Sequence, residues 1–429
     1  MFFILFSGAA IAQRVEETLT LEKCLNIALE RNFELKRVQN QALIAASNEN
    51  QARMNFLPSV NAGISYDMVR GSNFDQTNAI LTNTTTSSSP YVAAEVPLFN
   101  GLENHYLIQR NKIIKEAALD NIESVKDLTM VEVTGLYLQI LIDMADIEII
   151  KTRIDLLNEQ LGRARKRTEA GVANMQQVYN LNSQIANENL NLVRAQNRLE
   201  SDRLALFQSL QLDDGVEYAI APVEIHEDEI SAIGSYDDIL ASARAYSPGI
   251  KASEKMLESE KKNLQISRAA RLPRLSLTAS LSSHYSSNDA EHDYLNQIRQ
   301  RMRRDVGLRL SIPLFNQFRV KNAIQTAEIG VSDAELSLRQ ANMNLTNQVQ
   351  QAYLDLTASQ SAYFAAKENL NALAQAFQFA ETSYNSGNSD FYSYLESLNN
   401  KNRAELDLEI SKYSFVLRKR ILDILAGQK

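Results

Sequence analysis

The chain has 429 residues, of which 45% are hydrophobic, and it carries 52 acidic and 44 basic side chains for a formal net charge of -8. This hydrophobic content suffices for a sizeable core and excludes a disordered chain, while the acidic balance argues against a nucleic-acid partner. The single cysteine, Cys24, excludes an intramolecular disulfide framework and cysteine-based metal clusters, and the four histidines are scattered, so we expect no metal and no other cofactor.

The N-terminus has the features of a secretory signal peptide. An apolar run begins at Phe2 and ends in Ala10-Ile11-Ala12, which has the A-x-A form of a signal-peptidase site. We therefore predict a signal peptide over 1–12; a frayed apolar N-terminus is the alternative. Farther along, no stretch reaches the roughly 18 uncharged apolar residues of a membrane-spanning helix, so no helical anchor is predicted. Cys24 is interpreted as a helix-core residue.

Two long segments, 98–221 and 314–429, contain no proline and are rich in helix-forming residues. Proline in a helix interior costs roughly 3 kcal/mol, so its scarcity favours long helices. Each segment has one strong breaker near its middle, Gly171 in the first and Gly387 in the second. The pattern predicts two helical hairpins, over 102–212 and 317–427, with their tips at these glycines.

The two halves of the chain correspond. Leu57-Pro58 matches Leu272-Pro273, the junction at Pro97 matches that at Pro313, and Gly171 matches Gly387, all at offsets of 215 or 216. One unit has therefore been duplicated in tandem. The predicted repeats are 13–212 and 236–429, joined by a linker or equatorial segment over 213–235, and each repeat opens with helices, over 21–56 and 236–271.

Between the helices of each repeat the sequence alternates apolar and small polar residues. Four strands are predicted, over 58–70, 91–99, 273–284 and 305–315, with polar, solvated loops at 71–90 and 283–304. Strands of about ten residues match the length that crosses a bilayer when tilted. A half-buried sheet of a soluble protein is the alternative. Aromatic residues near the strand ends fit membrane interfaces: Tyr66, Tyr91, Phe99, Tyr285 and Phe315.

The predicted elements do not fit a single globule. A helix over 102–168 would be about 100 Å long, several times the diameter of a compact domain. Four strands cannot close a barrel alone, and lipid tolerates no open sheet edge, so several chains must each contribute four strands. Two chains would give eight strands and a filled interior, whereas three would give twelve and room for a lumen.

The signal peptide, the Leu19-to-Asn32 opening, the duplicated Leu-Pro strand starts, the Val/Ile-Pro-Leu-Phe-Asn junctions and the two tip glycines together resemble the TolC-like outer-membrane efflux proteins. The resemblance implies a mainly α fold of long antiparallel helical hairpins, an α-barrel, combined with a trimeric twelve-stranded outer-membrane β-barrel. It implies a homotrimer in the outer membrane of a Gram-negative bacterium, with a long periplasmic extension. The implied partners are a periplasmic adaptor protein, an inner-membrane transporter and outer-membrane lipid.

The expected function is a passive exit duct in a tripartite efflux or type I secretion system. The sequence contains no phosphate-binding loop, no nucleophile elbow and no H-E-x-x-H helix, so no catalysis is expected. A secreted or periplasmic coiled-coil scaffold that does not span the membrane remains the alternative.

The resemblance directs attention to the hairpin tips. A three-fold axis would turn each tip residue into a ring of three, so an acid there becomes a cation-selecting constriction. Residues expected to dock the adaptor are Gly171, Val172, Asn174, Gly387, Asn388 and Asp390. Candidates for the aperture are Glu396, Asp390, Ser393, Tyr384 and Gln177, with Tyr392 and Tyr394 close by. The strand-helix junctions are marked by Pro58, Pro97, Pro273 and Pro313.

A basic run precedes the first tip. It comprises Arg163, Arg165, Lys166 and Arg167. These side chains either satisfy the C-terminal carbonyls of the helix or pair with acids near the second tip to hold the aperture shut. A second basic group lies before the last strand, where contact with anionic lipid is conceivable: Arg299, Arg301, Arg303 and Arg304.

Overall fold

A computed structural model describes residues 17–74, 80–171, 174–212, 218–223, 230, 233–288, 293–386 and 388–428. The predicted signal peptide lies outside these residues, as do Val172, Gly387 and most of the linker 213–235. The chain divides into two compact units. The hairpin unit comprises Met1–Gln39, Asn121–Ile250 and Ala341–Lys429, and the sheet unit comprises Asn40–Asp120 and Lys251–Gln340.

The described elements repeat in the order that the duplication predicts. Helices of 11, 22, 67 and 36 residues occur in the first half and again in the second, with strands after each 22-residue helix. No helix in the described part of the chain combines the length and apolar content that a membrane crossing requires. The helices are α1 Leu21–Arg31, α2 Phe33–Met54, α3 Glu103–Glu169, α4 Met175–Leu210, α5 Tyr236–Tyr246, α6 Pro248–Ala269, α7 Tyr294–Gln300, α8 Arg319–Asn385 and α9 Phe391–Ala426. The strands are β1 Glu17–Leu19, β2 Ser59–Phe74, β3 Ile80–Phe99, β4 Tyr218–Ile220, β5 Arg274–Ser282, β6 Tyr285–Ser286 and β7 Arg303–Ser311.

The hairpin unit has its largest core where α1, α3 and α4 meet a short parallel pair of strands. β1 pairs with β4, so Leu19 lies opposite Ile220. The buried hydroxyl of Tyr137 donates to the carbonyl oxygens of Ala221 at 2.5 Å and Leu19 at 3.2 Å, which ties both strands to α3. Cys24 is buried in the same cluster, as expected for a helix-core residue, and burial raises the pKa of its thiol to about 12.

The sheet unit contains an antiparallel sheet in the order β2-β3-β5-β7, with the short β6 also paired to β3. Within the described residues, β2 and β7 each pair on one side only, so both outer edges of the sheet expose unpaired backbone groups. Such edges are normally covered or paired in a native assembly.

The first strand pair is longer than predicted. β2 continues to Phe74 and β3 begins at Ile80, so the prediction of a solvated loop over 71–90 was wrong for most of that range. The threonines that suggested a loop are β-branched and fit an extended strand, and cross-strand pairing decided their conformation. The predicted loop over 283–304 also contains structure, namely β6 and α7.

The last strand is shorter than predicted at its C-terminal end. β7 ends at Ser311, and Pro313 and Phe315 lie beyond it. Proline has no N–H to donate to a strand ladder, which explains an end before Pro313. Pro97, in contrast, lies inside β3 beside a register shift between Pro97 and Phe99. Pro58 and Pro273 come directly before β2 and β5, so these two prolines start strands, as the repeat predicts.

The register aligns the apolar residues of all four long strands on one face. Val60, Ala94, Ala279 and Val306 form one row across the sheet, and Val96, Leu277 and Leu308 form another. Val306 is 78% exposed and Leu308 is 68% exposed. An apolar surface of this extent is uncommon on a protein surrounded by water and marks contact with lipid or protein.

Tyr91 lies on the opposite, polar face. It pairs with Gly63, and its ring covers that glycine so closely that a Cβ atom there would be 2.8 Å from Tyr91 Cε1. The sequence predicted Tyr91 as an interfacial aromatic residue near a strand end, but the structure places it near the middle of β3, on the polar face, so that prediction was wrong. Gly63 has no side chain, and the ring of Tyr91 occupies the space that a side chain would need.

Candidate functional site

The first hairpin tip is built from standard helix-ending and helix-starting geometry. Gly171 has a φ of +74° and its N–H donates to the carbonyl of Thr168, which ends α3. Asn174 caps α4, because its side-chain oxygen accepts from the N–H of Gln176 at 3.0 Å. Beneath the tip a small apolar cluster joins the two helices: Leu157, Leu161, Ala164, Val178 and Leu181.

The second tip is closed by a similar arrangement. The N–H of Asn388 donates to the carbonyl of Ser383 at 2.9 Å, which satisfies the end of α8. Asp390 caps α9, since one carboxylate oxygen accepts from the N–H groups of Tyr392 at 2.8 Å and Ser393 at 3.0 Å. The hydroxyl of Ser393 donates to its other oxygen at 3.4 Å. Ser393 therefore supports the cap.

The pKa of Asp390 lies below its ordinary value. The main cause is the hydrogen bond from the backbone N–H of Ser393, followed by those from the Tyr392 N–H and the Ser393 hydroxyl and by the positive charge of Arg167. The carboxylate is therefore ionised throughout the neutral range. The position of Arg167 links the basic run of the first hairpin to the acid of the second tip within one chain.

The residues of the basic run differ in their surroundings. Arg163 pairs with Glu159 one turn earlier on its own helix at 3.3 Å. Arg165, Lys166 and Arg167 are exposed. Arg167 thus acts on Asp390 through its charge and Arg163 pairs within its own helix, while the role of the run in closing the aperture stays a prediction.

Aromatic rings stiffen the second hairpin just above its tip. Tyr384 of α8 stacks on Tyr394 of α9 with ring centroids 5.1 Å apart, and Tyr394 also contacts Phe377 at 5.6 Å. Tyr392 lies one turn from this stack and is exposed. Glu396 is exposed on α9, away from the stacked rings. Gln177 belongs to the first turn of α4.

A partly buried ionic network farther from the tips was missed by sequence reasoning. Arg198 of α4 donates from Nε to Asp143 at 2.8 Å and from Nη2 to Asp146 at 2.6 Å, both on α3. Burial, followed by the neighbouring carboxyl group of Asp143, raises the pKa of Asp202. The i, i+3 spacing of Asp143 and Asp146 places both acids on one face of α3. No local sequence feature indicates that their partner is Arg198, more than 50 residues away.

The polar face of the sheet forms the second candidate region. Next to the start of α3 it borders a cavity of about 840 Å³ whose lining includes Glu95, Glu103, Arg274, Ser276 and Arg309. Arg274 donates to Glu103 at 2.8 Å. Across the described residues, no group of three or more His, Cys, Asp or Glu side chains is placed to hold a metal ion. The junction prolines Pro58 and Pro97 line this cavity, whereas the tip residues belong to the hairpin unit.

Comparison with known proteins agrees with this geometry. The sequence matches the family described as "Outer membrane efflux protein" over residues 24–210 and 239–427. It is 22% identical over 303 residues to Toxin and drug export protein A of Aggregatibacter actinomycetemcomitans, a match that covers 70% of this chain and 64% of that protein. The chain thus spans just under two thirds of the length of this curated relative.

Two solved structures share the fold. The outer membrane channel CmeC of Campylobacter jejuni has a TM-score of 0.79 at 15% identity, over 95% of this chain and 85% of that one. CusC has a TM-score of 0.77 at 17% identity, over 95% of this chain and 92% of that one. The two matched segments of the family coincide with the two halves of the duplication. The chain therefore belongs to the outer membrane efflux protein family and is located in the outer membrane with an extension into the periplasm.

Proposed function

We propose that this protein is the passive exit duct of a tripartite efflux or type I secretion system, working as a homotrimer. Three copies of the four-stranded sheet form a twelve-stranded β-barrel in lipid, and the long hairpins form the periplasmic part. No catalytic step is assigned to the chain. A periplasmic adaptor docks at the hairpin tips, and an inner-membrane transporter supplies the energy.

The observation that carries the proposal is the combination of an apolar sheet face with two unpaired edges. One apolar row runs from β2 to β7 and a second from β3 to β7, and Val60, Val306 and Leu308 at their ends are exposed. A sheet of this kind is stable in lipid only if its edges close on one another. Four strands are too few for closure, whereas twelve leave a lumen. The polar face then borders water, which suits its serine, threonine and asparagine side chains.

The tips are proposed as the gate. Asp390 is ionised and capping, Arg167 is near it, and the Tyr384–Tyr394 stack holds α8 against α9. Under three-fold symmetry these features repeat around the periplasmic opening. We assign Asp390 and Glu396 to the constriction and the two tip turns to adaptor docking.

A pair of neighbouring cysteine substitutions tests which sheet face meets lipid. Ser276 and Leu277 are adjacent on β5 and point to opposite faces. In proteoliposomes, Ser276→Cys is expected to react with a membrane-impermeant maleimide and Leu277→Cys to remain unlabelled. The native background is low because Cys24 is buried with a raised pKa.

The mass of the detergent-extracted particle provides the second test. Light scattering corrected for detergent is expected to give three chains from the outer-membrane fraction. A monomer or dimer recovered from the periplasm without detergent would refute the duct and favour the coiled-coil scaffold. Equal labelling of both cysteine variants in proteoliposomes would also refute it.

A further inference from the structure

The polar face of the sheet carries several charges, but most of them neutralise each other. In the rows that cross β3, β5 and β7, Arg303 pairs with Asp305 at 2.8 Å. At the edge next to α3, Arg274 pairs with Glu103 at 2.8 Å. A paired charge contributes little to the electrostatic potential felt by a passing solute.

Two charges of this face that line the cavity beside α3 are left without a partner. Among the described residues, neither Arg309 nor Glu95 makes an ion pair, and both are exposed. Arg309 lies directly opposite Ser276, and Ser276 lies opposite Pro97. Glu95 belongs to the next row on the same face, opposite Thr278. The two rows are about 7 Å apart along the strands.

We propose that Arg309 and Glu95 are the residues that set charge selectivity inside the sheet-level lumen of the duct. The inference rests on the proposed function, because it requires the polar face to border the water-filled path. Three-fold symmetry makes each residue a ring, with Arg309 attracting anionic groups of a solute and Glu95 attracting cationic groups in the neighbouring row. A solute that carries both kinds of group matches the two rings.

The cavity at the junction supports this assignment. Arg309, Glu95 and Ser276 line the same cavity of about 840 Å³, so the two unpaired charges act on one polar space. Apart from the paired Arg274 and Glu103, the other lining residues are uncharged, so no opposite ion among them screens either charge. The potential in this space is therefore determined by the two unpaired residues.

The test measures the local potential with charged thiol reagents. Ser276→Cys serves as the reporter because its Cβ lies about 5 Å from that of Arg309 and about 7–8 Å from that of Glu95. Its reaction rates with an anionic sulfonatoethyl and a cationic trimethylammonioethyl methanethiosulfonate are compared in proteoliposomes. Access from the outer mouth makes the measurement independent of whether the tips are closed.

We expect opposite changes in the ratio of anionic to cationic rates. Arg309→Gln lowers it about threefold to fourfold at 0.1 M salt, and Glu95→Gln raises it about twofold; at 1 M salt the changes shrink to less than about 1.5-fold. Arg309→Lys retains the wild-type ratio. Arg304→Gln is the matched control, since Arg304 pairs with Leu281 on the apolar face, and it leaves the ratio unchanged.

The outcomes separate the inference from the proposed function. If Ser276→Cys reacts with both reagents but Arg309→Gln leaves the ratio unchanged, the charge assignment is wrong and the duct stands. An equal shift from Arg304→Gln would likewise overturn the assignment. If neither reagent reaches Ser276→Cys while both reach Leu277→Cys, the polar face is not the water-lined one, and both proposals fail.

Discussion

The ionic network between α3 and α4 offers the sharpest stability prediction. Arg198 holds Asp143 at 2.8 Å and Asp146 at 2.6 Å, and the side chain of Asp143 is only 1% exposed. Arg198→Met keeps an aliphatic stem of similar length but removes the charge and its donors. The buried Asp143 carboxylate then retains one described side-chain donor, the amide of Gln139 at 3.2 Å.

The expected loss lies between two limits. Removing one partner of a fully buried pair costs about 3–5 kcal/mol, because the other charge stays buried and unpaired. An exposed pair contributes about 0–1 kcal/mol. Since Asp143 is buried while the Arg198 side chain is 51% exposed, we expect a destabilisation of about 2 kcal/mol. At about 2–4 °C per kcal/mol, the unfolding midpoint should fall by about 4–8 °C.

Thermal unfolding of the detergent-solubilised protein, followed by circular dichroism, measures this effect. Arg194→Met, one turn earlier on α4 at an exposed position, is the matched control and should stay within about 0.5 kcal/mol of wild type. Adding Asp143→Leu to Arg198→Met should recover part of the loss, because the stranded charge is gone. Equal midpoints for Arg198→Met and Arg194→Met would refute the reasoning.

Four further outcomes are expected. The pKa of Asp202 is raised in the folded protein, so its contribution to stability is complete below the ordinary aspartate pKa near 3.9 and is lost as pH rises through the pKa of the folded state. Asp202→Asn, whose amide donates to Asp143 without titrating, should abolish this loss of stability in thermal melts across pH 4–8. Asp390→Ala should increase both the single-channel conductance and the susceptibility of the tip to protease. Asp390→Asn keeps a capping oxygen and should change the conductance alone. Identical behaviour of the two variants would contradict separate roles for the helix cap and the charge. Tyr137→Phe should destabilise the protein by about 1–3 kcal/mol, measured by unfolding, since the carbonyl of Ala221 loses its donor while that of Leu19 keeps the N–H of Ala221. Cys24 should resist thiol reagents until the protein unfolds, and rapid labelling of the native protein would contradict its burial.

Some features of the candidate site follow from local sequence, and others required contacts between distant residues. Asn174 and Asp390 stand directly before helices, so their capping roles were accessible from the sequence, although we interpreted them through adaptor docking and gating instead. The sequence offered an interaction between Arg167 and Asp390 as one of two alternatives, because the two residues lie near the tips of corresponding hairpins in the two repeats. The network around Arg198 could not be predicted from the sequence, because it depends on the register of α3 against α4.

What the sequence determined by itself is the duplicated plan of the chain. Proline and glycine act on the backbone where they stand, and helical and alternating periods are local, so the hairpins, their tips and the two-faced strands could be read from residue order. The tertiary structure alone decided the length of β2 and β3, the packing of the Tyr91 ring over Gly63, and the choice of which charges on the polar face are paired. These depend on register and on neighbours 20 to 200 residues away, where one residue of slip would exchange the faces of a strand.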